Sequence, residues 1–306
     1  MSDRVASTVD PGEIREVLRG AVDLYVHTNP ELLPRRVDDI GLARQMRADG
    51  FRAAMMWNQF SHTGERATVA SGVTGFDMRG SVILNGTVGG LNPRVTEHAV
   101  RMGACYVSMP TMSGGSYQGS VSDYAREASR IAGPVPVVDA SGAVVPAVHE
   151  IIDVVNQYDV VLGLGYVGRA EARAVLRAAR DRGVARIAVL RPFSPLGFTA
   201  EDVAEAMAIP GVFLQFPCSS LQATGAALTT AAEAASGPGP DAPAIARAIR
   251  RYGAERCVVM SDTGWNDLTP LEWFTLGCST LAQLGIGARD LRTMVRDTPA
   301  RLIGVE

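Results

Sequence analysis

Apolar and polar residues alternate in short blocks along the chain, and the blocks keep one rhythm from about residue 20 to the end. Val22, Leu24 and Val26 alternate with Asp23, Tyr25 and His27, so a period of two predicts a strand with the last three residues on one face. Phe51 to Trp57 is a near-continuous apolar run suited to a buried parallel strand. Further strands are expected at Ser81 to Asn85, Cys105 to Met109, Asp159 to Leu164, Arg186 to Leu190, Val212 to Phe216 and Cys257 to Ser261. Helical stretches separate them: Pro34 to Gly50, Thr63 to Gly72, Pro93 to Met102 with Asn92 as cap, about Val121 to Ile131, Pro146 to Tyr158, Arg169 to Arg182, Ala200 to Ala208, about Ser219 to Ala235 and Ala244 to Tyr252. Two or three more close the chain, and residues 11 to 20 form a short helix ahead of the first strand.

Eight successive strand-helix units with short connections predict a single (β/α)8 TIM barrel over residues 1–306 rather than an open sheet. Residues 1–20 form an N-terminal extension, 135–145 an inserted hairpin around Ala140-Ser141-Gly142, and 236–242 a Gly/Pro linker within the last repeat. With 306 residues and 47% hydrophobic content, the chain is long enough to bury such a core.

In a barrel of this type, chemistry sits at the C-terminal ends of the strands. Those ends carry Tyr25 and His27; Trp57, Gln59 and His62; Asn85; Pro110 and Thr111; Tyr166; Arg191; Gln215; and Asp262 with Trp265. His27 and Asp262 end otherwise apolar strands and are hard to explain as packing. Arg191, followed by Pro192, is expected to aim its guanidinium over the barrel mouth and hold a carboxylate or phosphate. Trp57 and Trp265 either close the mouth as core aromatics or stack on a ligand. Gln59, His62 and Gln215 either line the pocket or satisfy loop backbone, and His98 and His149 are expected on helix surfaces.

Composition narrows the chemistry. The balance of 29 basic and 32 acidic residues gives −3, with no long charged run, so neither nucleic acid nor a membrane surface is favoured over a small anionic molecule. No apolar run approaches a membrane span and the N-terminus lacks the core of a signal peptide, which points to the cytoplasm. A homo-oligomer stays open. All 29 basic residues are Arg, which removes every mechanism that needs a lysine amine: Schiff bases, pyridoxal phosphate and carboxylated-Lys metal bridges. Cys105, Cys218, Cys257 and Cys278 have no metal-ligand spacing and read as buried thiols.

Asp23 to His27, the stretch from Asn85 to Pro93, Met109-Pro110-Thr111, Ser261-Asp262-Thr263-Gly264 and Thr298 to Leu302 together resemble an amidohydrolase-like family of metal-dependent hydrolases over about residues 20 to 305. The resemblance implies an amidohydrolase-type barrel whose first strand ends in His-x-His, with two imidazoles on a divalent metal. Here Tyr25 stands at the first of those positions. Trp57 and Gln59 stand where a Lys and a His usually end the second strand, Tyr166 replaces the His after the fifth, and Arg191 the His after the sixth. His27 and Asp262 match. A divalent metal wants three or four ligands, and Arg191 would repel a cation, so neither metal nor cofactor is expected.

What remains is general acid-base chemistry on a small carboxylate-bearing metabolite, by a lyase, cyclase, isomerase or hydrolase. His27 is then base or acid, Asp262 its orienting partner, Tyr25 and Tyr166 donors to an oxyanion, and Arg191 the anchor of a substrate anion; Trp57, Gln59, His62, Asn85, Thr111, Gln215 and Trp265 line the pocket. Three other readings stand beside it. One is a metal-dependent hydrolase with a reduced His27/Asp262 site, and another a non-catalytic binding protein on the same barrel. The third is an NADP-binding oxidoreductase, because Gly163-Leu164-Gly165-Tyr166-Val167-Gly168 is a G-x-G-x-x-G match between a strand and a helix.

Overall fold

A computed structural model describes residues 11–32, 34–115, 127, 130–193, 197–221, 242–264 and 268–305. Eight parallel strands follow one another around the sheet in chain order: β1 (Val22–His27), β2 (Ala53–Trp57), β3 (Asp77–Ile83), β4 (Ala104–Ser108), β5 (Val161–Gly163), β6 (Ile187–Leu190), β7 (Val212–Pro217) and β8 (Cys257–Met260). The ring closes where β8 returns to β1, through a parallel bridge between Val26 and Thr263 and a 3.0 Å hydrogen bond from His27 N–H to Thr263 O. This is the expected barrel. Around it run α1 (Pro11–Leu18), α2 (Asp39–Ala48), α3 (Gly64–Thr74), α4 (Pro93–Arg101), α5 (Pro146–Gln157), α6 (Arg169–Asp181), α7 (Ala200–Met207), α8 (Ala242–Tyr252), α9 (Pro270–Gln283), α10 (Ala288–Arg292) and α11 (Thr298–Ile303). No helix among the described residues is long and apolar enough to cross a membrane.

Two apolar layers follow from the strand alternation. Val26, Ala54, Met56, Val107, Leu162, Leu214 and Phe216 pack outward against the helices, while Leu24, Tyr25, Trp57, Tyr106, Tyr166, Leu190 and Phe213 fill the inside. Residues 135–145 form the expected small hairpin, reduced to one antiparallel bridge between Val138 and Val144. Of the helix expected from about Val121 to Ile131 only 127, 130 and 131 are among the described residues, all helical, and of the linker at 236–242 only Ala242, which opens α8.

Several boundaries differ from the sequence pattern. α2 begins at Asp39 rather than Pro34, because Asp38 caps it by accepting from Gly41 N–H and Asn29 holds the preceding loop through both backbone groups of Arg35. β3 begins at Asp77 rather than Ser81. Its first residues are disguised by Arg79, paired with Asp77, and by Gly80, whose missing side chain lets Gly64 of α3 pack directly on the strand.

The larger correction is in β1. Asp23 pairs with Ala54 and Val26 with Met56, so Leu24 and Tyr25 together face a single residue of β2, the signature of a bulge. The bulge breaks the period of two. Leu24 and Tyr25 both join the interior layer, His27 stays inside opposite Trp57, and Asp23 falls on the other face with Val26. The Leu24 carbonyl left at the bulge accepts the Trp57 indole N–H at 2.9 Å.

Asp23 serves the seam between β1 and β8. Its Oδ1 accepts Ser261 N–H at 3.0 Å and Tyr25 N–H at 3.2 Å, so a side chain stands in where the ladder between first and last strands is incomplete. The carboxyl is pushed up to about 7, chiefly by burial, against the lowering effect of the hydrogen bonds from Ser261 and Tyr25. A value raised on folding means that Asp23 adds stability below about 3.8, which is lost as pH rises through about 7. Asp23→Asn imitates the protonated acid. The variant's melting temperature relative to the parent should be highest above neutral pH and should fall as pH drops from about 7 to about 4, a trend that thermal melts across that range would reveal or exclude.

The G-x-G-x-x-G segment connects β5 to α6, and each glycine answers a local need. A Cβ on Gly163 would lie 2.5 Å from the buried Tyr106 ring, Gly165 has φ +64° and presses on Pro110 O, and Gly168 caps α6 by giving its N–H to Glu171. The dinucleotide reading needs an open sheet and loses its motif here. Gly163→Ala should cost about 1 to 3 kcal/mol by overpacking against Tyr106, read from the urea midpoint.

Candidate active site

His27 lies at the centre of the barrel mouth and is 1% exposed. The loop after β1 returns Glu31 to one edge of its ring, with Oε2 3.9 Å from Nδ1, while the turn after β8 places Asp262 Oδ1 3.6 Å from Nε2. Each carboxylate is engaged by an arginine. Arg35 Nε bonds Glu31 Oε2, and Arg191 Nη2 bonds Asp262 Oδ2. Five side chains thus form one row in the order Arg35, Glu31, His27, Asp262, Arg191, alternating in sign about a central imidazole. Glu31 and Arg35 have fully buried side chains, and those of Asp262 and Arg191 are 3% and 12% exposed.

Burial, first, and then Arg35 hold His27 down at about 3, with Glu31 opposing, so the imidazole is neutral near pH 7 and the row sums to zero. Arg191 and Asp262 both adopt left-handed backbone, at φ 48° and 60°. Such conformations cost on the order of 1 to 3 kcal/mol each in residues that carry a side chain, and two of them meet in one ion pair at the mouth.

Beneath the row lie tyrosine hydroxyls. Burial, first, and then the neighbouring Tyr166 drive Tyr25 well above the ordinary phenol value, so its hydroxyl stays protonated and able to donate. Tyr106 O–H donates to Gln215 Oε1 at 2.9 Å, while Gln215 Nε2 has no hydrogen-bond partner among the described residues.

The remaining expected pocket residues have partners inside the protein. Trp57 is 1% exposed and packs edge-on against Tyr25 at 4.4 Å, a filler of the barrel interior rather than a stacking surface. Asn85 Oδ1 accepts from Thr111 N–H and Ser113 N–H, its amide donates to Gln59 O, and Thr111 Oγ1 donates to Gln59 Oε1 at 2.6 Å. These three lace the loops after β2, β3 and β4. His62 lies off the mouth, 2.8 Å from Glu65, in an outer groove of about 390 Å³ with Phe60, Val88, Arg94 and His98. Trp265 lies outside the described residues. Asp262 also departs from expectation: it turns its closer oxygen to Arg191, because a guanidinium in a buried setting is the stronger partner for a carboxylate.

Glu31 and Arg35 are site residues that the sequence reading does not single out. The available signal was their place, two charged residues each directly following a proline, Pro30-Glu31 and Pro34-Arg35, in the loop after the first strand.

The resemblance to amidohydrolases implies a divalent metal at these strand ends. The donor set does not fit one: Glu31 and Asp262 sit at opposite ring nitrogens, and each faces a guanidinium instead of a common point. Among the described residues, no three His, Cys, Asp or Glu side chains are grouped to hold a metal ion.

By fold the protein is a (β/α)8 TIM barrel, similar to solved structures of amidohydrolase-type barrels. It aligns with an amidohydrolase from Pseudomonas aeruginosa at 13% identity and TM-score 0.58, covering 96% of this chain and 98% of that one. A putative 2-pyrone-4,6-dicarboxylic acid hydrolase from Pseudomonas putida aligns at 19% identity and TM-score 0.53, covering 94% and 98%. A probable enzyme of the same name from Acinetobacter baumannii, with citric acid bound, aligns at 10% identity and TM-score 0.59, covering 93% and 99%. No curated protein matches the chain. Residues 20–215 match the sequence model of a family of unknown function, DUF6282, and the chain belongs to that family.

Proposed function

We propose that this protein is a hydrolase-type enzyme that works on a small carboxylated molecule by general acid-base chemistry, without a metal. The row from Arg35 to Arg191 carries the reading. It puts a neutral imidazole between two carboxylates, with phenolic donors below and a guanidinium at the rim, and it places fixed positive charge where the scaffold otherwise holds a cation. In this role His27 takes a proton from the attacking water, Tyr25 and Tyr166 donate to the oxygen that gains charge, and Arg191 meets the substrate carboxylate. Two structural neighbours named as hydrolases of a pyrone dicarboxylate agree with hydrolysis of a carboxylated lactone or ester. Four free thiols fit a reducing, cytoplasmic setting.

The test is a hydrolysis screen of carboxylated lactones, esters and amides with purified protein, paired with elemental analysis. Turnover that survives chelators in protein with substoichiometric metal is expected. Turnover that appears only on adding zinc or manganese would sink the metal-free reading.

A binding protein on the same barrel has one observation in its favour: His27 Nε2 and Asp262 Oδ1 stand 3.6 Å apart, beyond a normal hydrogen bond. Failure of every hydrolysis assay alongside saturable binding of a carboxylate such as citrate would favour it.

A further inference from the structure

We propose that Asp262 occupies Arg191 in place of a substrate carboxylate, and that an incoming carboxylate displaces it and so delivers it to His27. This rests on the anion-binding reading above and adds an order of events to it.

The geometry points to exchange. Asp262 meets Arg191 through Oδ2, while Oδ1 of the same carboxylate lies 3.6 Å from His27 Nε2, a few tenths of an ångström short of a hydrogen bond. One carboxylate therefore stands between two partners and bonds the arginine. Arg191 is the most exposed of the five side chains in the row, and its Nη1 also reaches Ser220 Oγ at 3.4 Å. A guanidinium fork receives any carboxylate in the same way, so a ligand at the mouth competes for the donors that Asp262 uses. Both residues sit in left-handed backbone just past the ends of β6 and β8, so the pair joins two strand ends at the mouth.

Loss of Arg191 leaves Asp262 beside an imidazole that can donate from Nε2. Around His27, among the described residues, lie also Glu31 and Arg35 from the loop after β1, Tyr25 from β1 itself and the backbone of Trp57 at the end of β2. Arg35 keeps Glu31 engaged on the Nδ1 side, so Asp262 is the carboxylate able to change partner. A His27–Asp262 bond would fix the Nε2–H tautomer and leave Nδ1 as the basic nitrogen.

Citrate binding by calorimetry is the test, on the parent, Asp262→Asn and Arg191→Gln. Because Asp262 competes with the anion, Asp262→Asn should bind citrate about 10-fold tighter than the parent, and Arg191→Gln should lose binding. Citrate should also move the parent's His27 ring nitrogens, resolved by ¹⁵N NMR among only four histidines, to the Nε2–H pattern at constant pH. This second measurement needs no variant and stands even where Asp262→Asn folds poorly. Citrate that binds the parent without changing the His27 pattern, or that Asp262→Asn binds no more tightly, overturns the exchange and leaves the anion site standing. No binding by parent or Asp262→Asn overturns both.

Discussion

Replacing Arg191 by alanine is expected to lower the unfolding free energy by about 3 to 5 kcal/mol, because it strands the Asp262 carboxylate at 3% exposure without its countercharge. Asp262→Leu should cost a similar amount, for the mirror reason. The double variant Arg191→Ala with Asp262→Leu should cost far less than the sum, since neither buried charge is left behind. Strictly additive losses in a urea-denaturation cycle would show that the pair is not coupled.

His27→Ala is expected to lower turnover by a factor on the order of 100 to 10,000 with a smaller change in KM, the pattern of a group that acts on a proton in the transition state. The substrate is whichever carboxylated lactone, ester or amide the hydrolysis screen returns. Arg191→Lys should show the reverse emphasis, with KM raised more than kcat falls, because an ammonium keeps the charge but loses the fork. Unchanged kcat in His27→Ala would remove the imidazole from the chemistry.

Much of the barrel could be read from the chain because parallel strands buried on both faces leave apolar runs that recur at a steady spacing, as from Phe51 to Trp57 and from Ile187 to Leu190. Strand ends then named His27, Asp262 and Arg191 as neighbours, and the structure brings them together. The face of Asp23 was hidden, since a bulge is set by the register of β1 against β2 and leaves no mark in the alternation of β1 itself. Gln59, Asn85 and Thr111 looked like pocket residues because a polar side chain that holds a loop and one that holds a ligand are the same residue types at the same strand ends. The partner of Arg191 was hidden for a different reason: a carboxylate 71 residues away competes with any ligand for the same guanidinium, and only three-dimensional placement decides between them.

The seam between β1 and β8 bears on how the molecule assembles. Asp23 and Ser261 are 238 residues apart, so the contact that shuts the ring carries nearly the largest loop-closure entropy the chain can offer, and it belongs among the last to form. The charged row is divided across the same gap. His27, Glu31 and Arg35 arrive with the first strand and its loop, while Arg191 and Asp262 arrive with the sixth and eighth. An incompletely folded chain therefore carries half a row, with the imidazole and one ion pair but no opposing pair at the rim, and the whole row exists only in a chain that has finished closing.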